Sequence, residues 1–371
     1  MSNPLLQDWI TPFGTPPFHK IGIDHFKPAI EEAIKMAAQE IAAITDNKES
    51  PTFNNTIAAL DRAGTKLDDI TSVLFNLNNA ETNEKLQAVV QELTPLITRF
   101  SNDITLNRKL FARVKIVYDL KEHEDLSTEK IMLLDKSYRD FILGGAGLDE
   151  EKRSRFREIS EELSGLSILF EKNILDDTNS FELHLKDFRD LAGLPEGTIE
   201  MGAMEARDRG KEGWVFTLHS PSYIPFMKYS ERRDLREKMF RSYSSRAFHG
   251  DEHDNRTHAW RIAKLRLEMS NLLGYKNFAE LTLGDRMLDT TPKVSSFLEE
   301  LHSESYPAAL RDFETVQRFA WENGHTNGLE RWDWAFFAEK LRKARFDIND
   351  EALKQYFVLE ILEKAIFDLA S

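Results

Sequence analysis

The sequence predicts a mostly α-helical protein with one small antiparallel β element, and three observations carry that expectation. Apolar residues recur at intervals of three and four through nearly every long segment, a spacing that gathers them on one helical face. Strand-like runs are confined to two places: 181–186, where Phe181, Leu183 and Leu185 alternate with Glu182, His184 and Lys186, and 214–218. No fixed-period repeat and no low-complexity stretch interrupts this pattern, which argues against a solenoid or a disordered chain.

Residues 1–20 carry Pro4, Pro12, Pro16 and Pro17 with Trp9, Phe13 and Phe18 between them. Proline at that density prevents a helix, and the aromatics predict a segment laid over a packed surface. From 28 to 44, Ile30, Ile34, Ala37, Ile41 and Ile44 mark a strong helix; 46–51 is a turn-rich connection, and Thr52 opens a helix expected to run through Leu60 to Phe75. Further helices are expected at 81–102, 107–118 and 127–143, the last closed by Gly144, Gly145 and Gly147. These glycines do not form a phosphate loop, because no strand precedes them and no lysine followed by Ser or Thr comes after. A long charged helix follows over 148–175, burying Phe156, Ile159, Leu163, Leu166 and Phe170. The two strand-like runs then flank a turn and short helix over 191–207.

Residues 220–227 read as a stiff, irregular segment because of Pro221 and Pro225. It leads into a basic helix with Arg232, Arg233, Arg236, Lys238, Arg241 and Arg246, interleaved with Glu231, Asp234 and Glu237, the signature of a solvated, salt-bridged face. Asp254 caps a helix to 273 that Gly274 ends, and Pro292 opens another over 291–323. After a turn at 324–328, Asp333 is expected to cap a helix that buries Trp334, Phe337, Leu341 and Ala344, with Glu339, Lys340, Arg342 and Lys343 filling the other faces. Asn349 is expected to cap a second helix, with Asp350 and Glu351 at its positive end. The expected organisation is an N-terminal helical domain, 1–147, and a second helical region, 148–371, with the β insert near 181–218.

At 371 residues the chain has room for two or three domains and a sizeable core. A formal net charge of −14 argues against nucleic acid as a partner, since its binders concentrate positive charge. With no cysteine there is no disulfide framework, no thiolate nucleophile and no thiolate metal site. The opening residues have neither a basic leader nor a sustained apolar core, and no apolar run approaches the roughly 20 residues that span a bilayer. The expectation is a soluble, cytoplasmic protein with no membrane partner.

The chain has ten histidines, the residues on which metal chemistry here would depend. A zincin needs His-Glu-x-x-His on a helix, which places two imidazoles one turn apart with a glutamate beside them to activate water. One His-Glu pair exists, His123-Glu124, but its fifth residue is Ser127, which reads as a helix cap. A second cluster joins His249, His253 and His258 with Asp251, Glu252 and Asp254; Gly250 and the run of acids favour a solvated loop over a built site. His184 and His219, at the strand ends, read as solvent-facing polar residues. With no Gly-x-Ser-x-Gly elbow either, residue types alone describe a helical soluble protein without a visible active site.

Residue identities say more than periodicity. The run Trp332-Asp333-Trp334, then 338–344 (AEKLRKA) and 351–357 (EALKQYF), resembles a segment of the M3 zinc metallopeptidases. The nearest likeness is the branch of peptidyl-dipeptidase Dcp and oligopeptidase A, within the wider thimet oligopeptidase-like group. Phe336 and Phe337 stand where the family often has two tyrosines, and Gln355 where it has proline. The opening NPLLQDW and TPFGTPPF, HFKPAIEEAI from His25, PSYIPFM, RRDLREK, SYSSRA and LRLEMSNLLGY match in the family's order. The resemblance implies a neurolysin/Dcp-like helical channel fold, of which this chain is the front half and one wall, open to short unfolded peptides. It also implies zinc in the full-length parent, held by a zincin motif and a later glutamate on a C-terminal catalytic half. None of those motif positions occurs here, so no catalytic, cofactor-binding or metal residue is assigned to this chain.

Two functions from different classes follow. Either the chain is the N-terminal portion of a Dcp-like peptidase, inactive alone, or it is a non-catalytic helical protein that binds peptides or a partner. An ending inside an apparent helix favours truncation, and a reading frame continuing into His-Glu-x-x-His would decide the matter. A wall cut from its other half is expected to expose apolar surface, including parts of 358–369, and to form a dimer or concentration-dependent oligomer.

Overall fold

A computed structural model describes residues 3–347, 353 and 356–370. Helix accounts for 73% of the structure and, among the described residues, the β content is one two-stranded antiparallel sheet, as the periodicity predicts. The chain forms two compact units: Met1–Phe170 with His258–Asp289, and Glu171–Thr257 with Thr290–Ser371. No helix of the described residues is long and apolar enough to cross a membrane.

The first unit is built on α1 (Phe26–Asp46), whose buried residues Phe26, Ala29, Ile30, Ala33, Ala37, Ile41 and Ile44 form one continuous stripe. Its first half packs with α3 (Thr65–Ala80) and α4 (Glu84–Thr105) around Ile70, Leu74 and Leu93, and Leu5 of the proline-rich opening is wholly buried in that cluster. Its last turns, Ile41 and Ile44, join a second cluster with α5 (Arg108–Asp119) and α6 (Thr128–Leu143) through Leu110, Val114, Val117 and Leu134. Asn83, Asn107 and Ser127 cap α4, α5 and α6 by accepting from backbone N–H groups three residues on.

The helix expected from Thr52 to Phe75 is broken. A single wide turn, Phe53–Ile57, leads into the short α2 (Ala58–Arg62), and α3 begins after Gly64. Gly64 adopts φ +85°, which ends a right-handed helix, and its N–H donates to the Glu40 carboxylate on α1 at 2.8 Å. The glycine run after α6 is a helix terminus of the same kind: Ala146 N–H returns to Phe141 O at 2.9 Å, with Gly145 at φ +85°. Within this unit the first part of α7 (Glu150–Ser180) is held to α11 (Arg256–Leu272) by two forked ion pairs, Arg155–Glu268 and Arg261–Glu162. A further short helix, α12 (Phe278–Leu283), was not foreseen.

In the second unit, β1 (Leu183–Leu185) pairs antiparallel with β2 (Trp214–Phe216) in the register Leu183–Phe216, His184–Val215, Leu185–Trp214. Gly213 enters β2 at φ +88°, where a Cβ would lie 2.3 Å from Leu185 O, so only glycine fits. Between the strands α8 (Glu196–Asp208) lies against β2, with Gly202 meeting the Phe216 ring. The segment expected to be irregular is α9 (Ser220–Tyr229). Pro221 falls in the first turn, where its missing N–H is not needed, and burial of Phe226 and Met227 outweighs the one bond lost at Pro225.

The basic helix is α10 (Arg233–Ser244), the long C-terminal one α13 (Thr291–Glu322), and the tryptophan-rich one α14 (Arg331–Phe346). α14 corrects the sequence reading in two ways. Asp333 lies in its first turn rather than at the cap, and the buried face is Trp332, Asp333, Phe336 and Phe337, with Trp334 turned outward and stacked on Phe313. The second helix expected from Asn349 lies outside the described residues. A last helix, α15 (Leu359–Ala370), is exposed along its length.

Candidate functional site

The residues singled out from the sequence do not converge. His123 ends a single 3₁₀ turn and is exposed, and Ser127 caps α6, so the one His-Glu pair lies in a loop. His184 Nε2–H donates to the Glu212 carbonyl at 2.7 Å, and His219 Nε2–H to the Asn179 amide oxygen at 3.0 Å. The loop that carries His249 and His253 is more ordered than a solvated connection. Asp177, near the end of α7, accepts from the Ala247 N–H at 2.7 Å and from His249 Nε2 at 3.0 Å. Asn255 N–H donates to Ala247 O at 2.8 Å, and the Asn255 side chain accepts from Asn173 at 2.9 Å.

His253 stands 3.8 Å from both Asp176 and Glu252, and Asp176 is already paired with Lys172. Asp254 accepts from the N–H of Arg256 and of Gly250, while the Arg256 guanidinium lies beside it. Those bonds, the guanidinium first, hold its carboxyl far below the usual range. His258 sits on α11 in the other compact unit. Among the described residues no three His, Asp or Glu side chains are grouped so as to hold a metal ion. Asp251 and Asp254 are spent on backbone N–H groups and a guanidinium, and Glu252 points to solvent, so the residues present do not fit a catalytic zinc, and no step is routed through one.

What the second unit does bring together is a buried ion cluster. Asp333, fully buried, accepts from Arg233 Nη2 at 2.9 Å, Arg236 Nη2 at 2.9 Å and the Glu330 N–H at 3.2 Å. Arg236, 2% exposed, also donates from Nε to Trp332 O at 3.0 Å and from Nη1 to Ser230 O at 2.7 Å. Burial pushes the Asp333 carboxyl up, and the bonds from Arg233, the Glu330 amide and Arg236 more than offset it, leaving it below the ordinary range. Burial likewise pulls Arg236 down, against the opposing Asp333 charge. The aromatic rings continue the stack: Arg233 and Arg241 lie over Trp332, and Arg236 lies over Phe336. The three charged groups, Asp333, Arg233 and Arg236, are all paired, which marks this cluster as the clamp between α10 and α14 rather than a reaction centre.

The same unit also holds a cleft of about 320 Å³ between α8, the end of β2 and the start of α9. Its lining includes Thr198, Gly202, Val215 and Thr217, all buried, with Met201, Met204, Asp208 and His219 exposed around them. Sequence reasoning found His219 here and missed the others. Thr198, Glu205 and Asp208 belong to a helix that shows only amphipathic spacing, and nothing local says that its polar side meets a strand.

Residues 226–371 match the family model of Peptidase family M3, and residues 30–153 that of the Neurolysin/Thimet oligopeptidase N-terminal domain. The chain is similar to organellar oligopeptidase A of Arabidopsis thaliana, 32% identical over 100% of this chain and 47% of that protein. Dipeptidyl carboxypeptidase of Escherichia coli is 32% identical over 98% of this chain and 54% of its own length, and oligopeptidase A of the same organism 31% over 96% and 52%. The chain thus spans about half the length of the curated relatives it matches.

Proposed function

The chain belongs to peptidase family M3, in the branch of oligopeptidase A and dipeptidyl carboxypeptidase, and from that premise we propose that it forms the peptide-holding wall of a zinc-dependent oligopeptidase that hydrolyses short peptides. The observation that carries the proposal is the extent of the likeness, which runs over 96–100% of this chain in three relatives whose names denote peptidases. The rigid frame needed to hold an extended ligand is in place, since a clamped α10–α14 pair and a sheet-backed cleft fix side chains more firmly than loops do. The sequence contains no His-Glu-x-x-His. In this proposal, metal-dependent attack on the amide therefore draws its zinc ligands and general base from polypeptide outside residues 1–371.

The test is to purify residues 1–371, quantify bound metal, and incubate with a quenched fluorescent peptide with and without chelator. Peptide binding without cleavage is expected from the chain alone. Chelator-sensitive cleavage is expected once a separately produced polypeptide carrying the family's zinc-binding half is added. Stoichiometric zinc and chelator-sensitive cleavage by residues 1–371 alone would overturn the division of labour, and failure to bind any peptide would overturn the reading altogether.

A further inference from the structure

The cleft between α8, β2 and α9 has features that packing alone does not require. Thr198 and Thr217 line it and are 3% and 5% exposed. Neither hydroxyl has a hydrogen-bond partner among the described residues, and neither is among the buried polar atoms sealed from solvent. The backbone N–H of Thr217 is occupied by Ser222 Oγ at 3.0 Å, which leaves the hydroxyl itself uncommitted. A threonine buried to this degree ordinarily turns its hydroxyl to a nearby carbonyl, as Thr94 does to Val90 O at 2.8 Å in this same chain. The hydroxyls of two buried threonines, without hydrogen-bond partners among the described residues and not sealed from solvent, lie in the lining of the cleft and can supply it with a donor and an acceptor.

The rim supplies two further chemistries. Met201 and Met204 are 45% and 54% exposed, on adjacent turns of α8, where flexible thioether side chains suit varied apolar groups. One turn on, Asp208 lies at the edge without an ion pair or hydrogen bond to its carboxylate among the described residues. It stands out in that setting, because its neighbours are committed: Glu205 to Arg209 at 2.7 Å, and Glu182 to both Arg209 and Lys211. A volume of about 320 Å³ is at the small end for a ligand pocket, room for one long side chain and a short length of backbone.

We propose that this cleft is a subsite for a short peptide carrying lysine or arginine beside an apolar residue. The two threonine hydroxyls hold the peptide's N–H and C=O groups, the methionines cover the apolar side chain, and Asp208 pairs with the cation. The proposal rests on the reading that this chain holds peptides, and it names where and which. Charge complementarity decides the occupant: the one uncommitted ionic group in the cleft is a carboxylate, so an acidic peptide would meet repulsion and a neutral one would leave Asp208 without a partner.

The experiment uses residues 1–371 and fluorescence anisotropy of a labelled pentapeptide, Ala-Leu-Lys-Leu-Ala, against its Nε-acetyllysine counterpart. For the wild-type chain, acetylation is expected to weaken binding about three- to fivefold, the range for a partly exposed ion pair. Asp208→Asn, on an exposed position that folding does not depend on, is expected to erase that difference. Thr198→Val, which keeps the shape, is expected to weaken both peptides by about fivefold, as loss of one hydrogen bond does. Equal affinity for the two peptides in the wild type, with no effect of either substitution, would overturn this subsite while leaving peptide binding by the chain intact. No binding of either peptide would overturn both readings together.

Discussion

Replacing Asp333 by alanine tests the ion cluster most directly. The substitution removes the carboxylate that faces Arg233 and Arg236 and leaves Arg236, 2% exposed, without its counter-charge. Arg236 keeps its bonds to Trp332 O and Ser230 O, so it remains anchored in place and cannot swing to water. Arg233, with a side chain 40% exposed, can re-solvate, and its share of the loss is below about 1 kcal/mol. Stranding a buried charge costs about 3–5 kcal/mol, and because Arg236 keeps two of its hydrogen bonds the lower part of that range, about 3–4 kcal/mol, is expected here.

The readout is urea unfolding of the second compact unit, where a slope near 2 kcal/mol per molar converts this loss into a midpoint lower by about 1.5–2 M. The double substitution Asp333→Leu with Arg236→Met removes both charges and is expected to recover at least half of that shift, because well-packed apolar replacements of buried pairs are close to neutral. A shift for Asp333→Ala below about 0.5 M would refute the claim that the cluster clamps α10 to α14. The pH dependence has a definite sign. Asp333 is held below its ordinary value, so its contribution is full above about pH 4 and is lost as the pH falls through the folded value. Asp333→Asn is therefore expected to flatten the acid limb of the stability curve.

Three further outcomes are expected. Gly213→Ala brings a Cβ to within 2.3 Å of Leu185 O at φ +88°, and should lower the stability of the second unit by at least about 2 kcal/mol in the same urea assay; a neutral effect would mean that the strand pair contributes little. Excess chelator should leave the thermal unfolding curve of residues 1–371 unchanged, since the acids near His249 and His253 already serve backbone N–H groups and cations; a downward shift would place a metal in that loop. The chain should self-associate through α15, where Leu359, Ile361, Ile366 and Leu369 are each more than half exposed, and Ile366→Asp should reduce the mass seen by light scattering at high concentration; a wild-type chain that stays monomeric throughout would refute this.

The features read correctly from the sequence are those whose cause is local. Asn107 and Ser127 announce α5 and α6 because a cap bond spans three residues, and Gly274 ends α11 because its φ of +87° lets Tyr275 N–H return to Ser270 O. The strand pair was visible for the same reason, since alternation over 181–186 and at 214–218 is a two-residue property. The misreadings arise where a distant residue decides. The helix expected through Leu60 to Phe75 breaks at Gly64, whose N–H is taken by Glu40 on another helix. Pro221 and Pro225 looked like breakers, but the apolar cluster that buries Phe226 and Met227 lies mostly outside that segment.

Asp333 shows most clearly why a site is harder to read than a fold. Local logic assigns an aspartate near a helix start to the cap, and the assignment missed by three residues because its real partners, Arg233 and Arg236, lie nearly a hundred positions away. The histidine and acid cluster at 249–258 shows the converse. Acids close together in the chain are the ones that can reach neighbouring N–H groups, so Asp254 is consumed by Gly250 and Arg256, and density in sequence works against availability in space. The cleft is built the other way round. Thr198, Asp208 and Thr217 come from a helix and a strand end with no motif between them, and among the described residues their hydroxyls and carboxylate have no hydrogen bond or ion pair. Groups left uncommitted by the fold are the ones able to bind a ligand, and short-range sequence patterns select for the opposite property.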